Sequence, residues 1–334
     1  MQQPGAEPLV TLDEIRAAAQ RLRGISLRTP LLGQSAGVVV KPESLQPTGA
    51  FKLRGAYNAL AQLPPEQLRQ GVVTHSSGNH GRALAYAARL LGTRAVVVMP
   101  EDAPQIKVDG VRSEGAEIVF VGPSHEERAQ RARRLAKADG LELIPSANDR
   151  RVIAGQGTIG LEIVEQLAET DRRGKLTVLV PIGQGGLAAG VCTAVKSLVP
   201  GARLIGVEPA LAADGRDSLI AGEIVRWPSA KVQRTMADGL RMESVAPLAF
   251  EHMRRYMESI VTVEEDEIGR TVAHAARDLR LVLEPSGAVS LAGLRHIAPA
   301  GRNGAALDTT VAVLSGGNID PERYSDILHR YHPN

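Results

Sequence analysis

Short runs of apolar, largely β-branched residues recur at 38–40, 95–99, 117–121, 177–181, 204–207 and 311–314, with longer stretches of helical pattern between them. Runs this short and continuous suit strands buried on both faces, and strands alternating with helices pair in parallel through crossover connections. The pattern predicts an α/β fold built on doubly wound parallel sheets. Ahead of it, 11–23 reads as a capped helix, with Thr11 as N-cap, Glu14 three residues on, Ile15, Ala18 and Leu22 at helical spacing, and Gly24 as the stop. A second helix is expected at about 82–91, feeding the strand at 95.

The chain has 334 residues with 43% hydrophobic content, enough for one large or two ordinary buried cores. Its 39 basic and 37 acidic residues leave a net charge of +2, and aromatics make up only 3%. Neither a charge surplus nor stacking platforms argue for nucleic acid or a membrane surface, so small-molecule chemistry is favoured. The arginine-rich run 126–134 alternates with alanines and reads as the solvated face of a helix. One cysteine, Cys192, excludes an internal disulfide and a thiolate metal cluster, and its apolar neighbours place it in packing. The start MQQPGAEPLV lacks a basic region followed by an apolar run, and no window approaches the roughly 20 apolar residues of a spanning helix. A cytoplasmic protein is expected.

Three segments carry chemistry. Lys52 follows a Gly49 turn, sits between Phe51 and Leu53, and begins a helix. Taken alone it reads as a surface lysine; an amine that must lose its proton near neutral pH would need just such an apolar, fixed position. Ser76-Ser77-Gly78-Asn79-His80-Gly81 lies between an apolar strand end and a helix start, where free backbone N–H groups and hydroxyls can receive a carboxylate or simply cap the helix. Gly183-Gln184-Gly185-Gly186-Leu187 joins the 177–181 strand to another helix, a turn whose amides suit a phosphate. Gly155 to Gly160 fits the dinucleotide pattern GxGxxG but lacks the acidic residue about 20 positions on, and it reads as a helix start. Ser315 follows the last apolar strand.

In this order, over about residues 27–320, the segments resemble the serine racemase and serine/threonine dehydratase family, pyridoxal-phosphate (PLP) enzymes of the tryptophan-synthase-β fold type. The resemblance implies two doubly wound domains, a large PLP-binding one from 1–47 plus 148–334 and a small one, 48–147, inserted into it. It implies that Lys52 binds the cofactor covalently and later takes the α-proton, and that Ser77 faces it from the opposite side. Phe51, Asn79, the loop residues Gly183, Gln184, Gly185, Gly186 and Leu187, and Ser315 would contact the cofactor, with Ser315 at the pyridine nitrogen. Ser76, Ser77, Asn79 and His80 form the substrate loop, where His80 is given no proton-transfer role. Glu208, Ala212 and Asp214 match a divalent cation site for Mg²⁺ or Ca²⁺. A homodimer is the family habit.

The implied reaction is dehydration of a serine- or threonine-type β-hydroxy amino acid to a keto acid and ammonia, with racemisation added if Ser77 moves a proton. Two departures bear on this. Gln184 stands at the second of four positions usually glycine, and 241–243 reads Arg-Met-Glu where the racemase branch has a serine. Arg241 could attract the second carboxylate of 3-hydroxyaspartate or point to solvent. A β-substitution enzyme such as a cysteine synthase fits the 76–81 loop poorly, and a nicotinamide oxidoreductase would need no such lysine.

Overall fold

The computed structural model describes residues 8–35, 37–76, 78–122, 125–170, 174–297, 302–303 and 306–331. In chain order its strands are β1 (Leu32–Ser35), β2 (Val38–Pro42), β3 (Val72–His75), β4 (Ala95–Pro100), β5 (Glu117–Val121), β6 (Glu142–Leu143), β7 (Leu176–Pro181), β8 (Arg203–Pro209), β9 (Ser259–Val263), β10 (Arg302–Asn303), β11 (Ala306–Leu307) and β12 (Thr309–Leu314). Six form one sheet, ordered β1-β2-β12-β7-β8-β9, in which only β1 pairs antiparallel. A second sheet, β5-β4-β3-β6, is wholly parallel and lies in sequence between β2 and β7.

The inner strands β4, β7 and β12 are buried along their whole length, which is why they are continuous apolar runs rather than alternating ones. Along β12, Val311 and Val313 join one core with Val178, Val180 and Val191, while Ala312 and Leu314 join another with Leu283, Ala288 and Leu291. In the smaller sheet Val96 and Val98 pack beside Ala132, and Val97 and Met99 beside Val108 and Val111. Alternate side chains of single strands thus feed opposite helical layers, each buried methylene stabilising by about 0.8 kcal/mol.

The six expected strands are present with ends moved by at most a few residues, and Leu12–Arg21 is helical with the Thr11 and Glu14 capping box formed. The expected helix at 82–91 begins earlier, at Asn79. One expectation changes: 155–160 is not a helix start but the middle of Arg150–Ala168, whose N-cap is Asp149. The glycines serve packing there. A Cβ on Gly155 would lie 2.5 Å from the Arg54 carbonyl, and one on Gly190 of Gly186–Leu198 would lie 2.4 Å from that of Ile153. Three helices meet backbone to backbone at this point, which fixes Lys52–Leu60 against the larger sheet's helical layer. Cys192 is buried in Gly186–Leu198, and burial pushes its thiol up to about 12, so it is packing.

Candidate active site

The site lies where strand ends of the two sheets face each other. β3 ends at His75 and the helix Asn79–Leu90 starts just after it, while β7 ends at Pro181 and Gly186–Leu198 starts after the glycine turn. Both helices point their free N–H groups into the gap, the usual place for a ligand in open α/β sheets. Gly185 enables the second turn, with φ +86°, a conformation that strains any residue with a side chain.

One cavity is lined by Phe51, Lys52, Ser76, Asn79 and His80 from one side and by Gly183, Gln184, Gly185, Gly186, Leu187 and Ser315 from the other. Segments 263 residues apart, from Lys52 to Ser315, therefore meet. Ser77, the residue singled out for the opposite face, lies outside the described residues. Glu208, Ala212 and Asp214 do not line this cavity.

Lys52 Nζ donates to the Ser146 carbonyl at 3.0 Å and stands 4.9 Å from the Phe51 ring centre. No carboxylate accompanies it in those contacts, and loss of water lowers its pKa to about 8. An appreciable share is free amine near neutral pH, as a carbonyl-attacking lysine requires. His80 is buried, with Nε2 3.2 Å from the Ile144 carbonyl. Burial first, and the nearby Lys52 charge second, hold its pKa near 3. It is a neutral imidazole that donates to that carbonyl.

Asn79 is clamped from both ends. Its Nδ2 donates to Glu284 Oε1 at 2.5 Å, and its Oδ1 accepts from Asn318 Nδ2 at 2.8 Å. Glu284 is buried and its pKa is raised by that burial, while Lys107, 3.4 Å away, works against the rise. Lys107 also pairs with Asp238, so a lysine on Gln105–Arg112, beside the smaller sheet, is held by two acids from loops of the larger one. Ser315 Oγ donates to the Ser286 carbonyl at 3.4 Å, and Ser286 Oγ accepts from Gly239 N at 2.8 Å. Ser146, Lys107, Arg128, Met242, Glu284 and Ser286 line the cavity without having been singled out from the sequence. A lysine within a helix, or a glutamate just before one, carries no local signal of a distant partner.

One expectation is corrected here, and one open alternative narrows. Arg128 belongs to the arginine-rich run yet turns into the cavity, whereas Arg133 and Arg134 are exposed. Its helix, His125–Asp139, presents alanines 129 and 132 to the sheet, and position 128 falls on the edge of that buried face. Arg241 does not line the cavity; its Nε donates to the Thr235 carbonyl at 3.0 Å, and Met242 takes the cavity-facing place.

Glu208 and Asp214 are buried together away from the cavity. Glu208 accepts from Gly215 N at 3.0 Å and Arg216 N at 2.8 Å, and burial, then the Asp214 charge, raises its pKa well above normal. Burial lifts Asp214 to about 7, and its Oδ2 has no hydrogen-bond partner. Among the described residues no group of three or more His, Cys, Asp or Glu is arranged to hold a metal. No helix among them is long and apolar enough to cross a membrane.

The chain is 36% identical to L-threo-3-hydroxyaspartate ammonia-lyase of Pseudomonas sp., across 96% of this chain and 99% of the relative. It is 39% identical to L-threonine ammonia-lyase of Geobacter sulfurreducens, across 95% and 77%. The solved structure of maize serine racemase superposes with a TM-score of 0.86 at 34% identity, covering 97% of this chain and all of that one. Residues 10–316 match the family described as pyridoxal-phosphate dependent enzymes. With its lysine, glycine turn and sheet order in place, the chain belongs to the pyridoxal-phosphate dependent enzyme family.

Proposed function

We propose that this protein is a PLP-dependent ammonia-lyase that dehydrates serine- or threonine-type β-hydroxy amino acids to a keto acid and ammonia, with racemisation of serine as a second outcome. The residues present fit the cofactor. A desolvated amine at Lys52 faces a turn whose Gly185 conformation and helix N-terminus suit a phosphate, and Ser315 lies in the same cavity wall. The observation that carries the reading is this convergence of an uncompensated lysine and a glycine turn across one cavity.

When bound, PLP supplies an electron sink that makes a substrate Cα–H acidic. Lys52 would hold the cofactor, and its freed amine, with a pKa near 8, would accept the α-proton. Ser76 and the N–H groups opening Asn79–Leu90 would receive the substrate carboxylate, and Asn79, oriented by Glu284 and Asn318, would hold the cofactor ring. Ser77 would exchange a proton on the other face. Neutral His80 would only shape the substrate loop.

The test offers L-serine, D-serine, L-threonine and the 3-hydroxyaspartates, following keto acid, ammonia and enantiomer ratio. Turnover of none, or a purified chain with no visible band after PLP is added, would reject the reading. Ser77→Ala should abolish D-serine turnover and spare L-elimination; equal loss of both would remove Ser77 from its role.

A second reading, 3-hydroxyaspartate as the preferred substrate, is favoured by Arg128. Arg128 lines the cavity, where its guanidinium would pair with a second carboxylate, and the Pseudomonas relative bears that name. We further propose, on the family resemblance, that 48–147 and 1–47 plus 148–334 are separate domains and that the chain is a cytoplasmic homodimer. Glu208, Asp214 and the Ala212 carbonyl would bind Mg²⁺ or Ca²⁺ outside the cavity. Support for this is the buried pair of acids, with the Asp214 charge adding to the burial that raises Glu208 and burial raising Asp214; chelation followed by thermal melting tests it, and an unchanged melt that added cation also fails to move would reject it.

A further inference from the structure

Gln184 stands in a turn otherwise made of glycine, and its side chain is engaged. Its Oε1 accepts from Ser146 Oγ at 2.8 Å, and the backbone carbonyl of the same serine accepts from Lys52 Nζ at 3.0 Å. One residue of the glycine turn is thus two hydrogen bonds from the nucleophilic amine.

Each link of the chain is anchored at one end. The Gln184 carbonyl accepts from Ala246 N at 3.0 Å, which fixes the turn on its outer side. The 146–147 segment lies flat on the same turn, since a Cβ on Gly186 would come within 3.0 Å of Ala147 Cα. Beyond it, Asn148 Oδ1 accepts from Leu248 N at 3.1 Å, and Asp149 caps Arg150–Ala168. Between Asn148 and β6, the hydroxyl of Ser146 is a side-chain tie on the residue whose carbonyl receives Lys52. A serine hydroxyl without an acceptor turns freely, and the backbone it belongs to is then held by fewer contacts.

We propose that Gln184 is a positioning residue for Lys52: by accepting the Ser146 hydroxyl it fixes the carbonyl on which the lysine amine rests, and so ties the glycine turn to the nucleophile. The proposal rests on Lys52 as the cofactor lysine. A carbonyl acceptor stabilises the ammonium over the amine, so loosening it releases the free base at lower pH. The turn that would receive the phosphate therefore also tunes the amine.

The experiment measures, against pH, the rate at which the full-length chain, stripped of cofactor, captures added PLP, read as growth of the visible band. Gln184→Ala should lower the midpoint by about 0.5 pH unit, roughly a threefold gain in free amine below it. Ser146→Ala should lower it equally, and the double variant no further than either one. Gln184→Glu, which keeps an acceptor for the hydroxyl, should hold the midpoint at or above the parent's. Midpoints unmoved in both alanine variants, shifts that add in the double variant, or a glutamate variant that falls like alanine would each overturn the proposal. The plateau rate reports phosphate binding separately and does not enter. A parent chain that forms no band denies Lys52 its role, whereas a band with an unmoved midpoint denies only the pair.

Discussion

Lys52 and Arg54 are cations two residues apart on one helix, and water is largely withheld from both, yet their surroundings are opposite. Behind the helix, Arg54 meets Glu43 at 2.7 Å and Glu162 at 2.6 Å, and Lys41 meets Glu162 at 2.6 Å. Two cations face two carboxylates, with Thr29, Thr158 and Gln166 bonding the remaining donors and acceptors. Burial alone would lower the Arg54 pKa, but Glu43 and Glu162 more than offset it and raise it. On the cavity side Lys52 has one carbonyl and no offset. The same physical cost, desolvation, is cancelled in one place and left standing in the other. A satisfied buried charge builds the scaffold, and an unsatisfied one marks the chemistry.

The comparison breaks most sharply at its functional end. Lys52→Ala should remove the visible band formed with PLP and reduce turnover by more than about 10³-fold while leaving the urea midpoint close to the parent's; retained turnover would move the nucleophile elsewhere. At the structural end, Arg54→Met strips Glu43 of its ion-pair partner and leaves Glu162 with Lys41 alone, and should cost about 3–5 kcal/mol in urea unfolding. That cost should shrink as pH falls, because Glu43 without its partner would have a raised pKa value in the folded state and protonation removes its charge. A loss that stays constant with pH would mean packing, not charge, is what Arg54 provides.

The two ends also differ in pH response. Cofactor capture by the parent should rise with pH through a midpoint near 8, since only the free amine of Lys52 attacks and its pKa is depressed to about that value. A midpoint near the ordinary lysine value would show that the cavity does not withhold water. The smallest effect concerns Arg128, whose pKa burial lowers and nearby Asp102 and Glu127 partly restore. Arg128→Gln should raise KM for 3-hydroxyaspartate about tenfold and leave that for L-threonine nearly unchanged. Equal changes for both substrates would remove it from recognition.

Much of this was legible without coordinates. The apolar runs at 95–99, 177–181 and 311–314 became strands because burial on both faces demands continuous apolar sequence whatever the order of the sheet. The lysine, the Ser76 to Gly81 loop and the glycine turn were also recognisable, as each is a contiguous segment with its own composition. Glu284, Lys107 and Ser146 were not, because their meaning comes from partners 38 to 205 residues away, from Gln184 for Ser146 to Asn79 for Glu284. The 155–160 run misled for the same reason. Its glycines answer to helices that only folding brings near.

Which segments become strand, turn or helix depends on backbone sterics and on side chains a few positions apart, and the chain's own order of residues determined that much. Whether the charge cost of burying Lys52 or Arg54 is cancelled or left standing depends on which carboxylates are folded against each, and only the tertiary structure decided it. Electrostatic energy in a desolvated interior is set by distance in space, and distance along the chain carries no record of it.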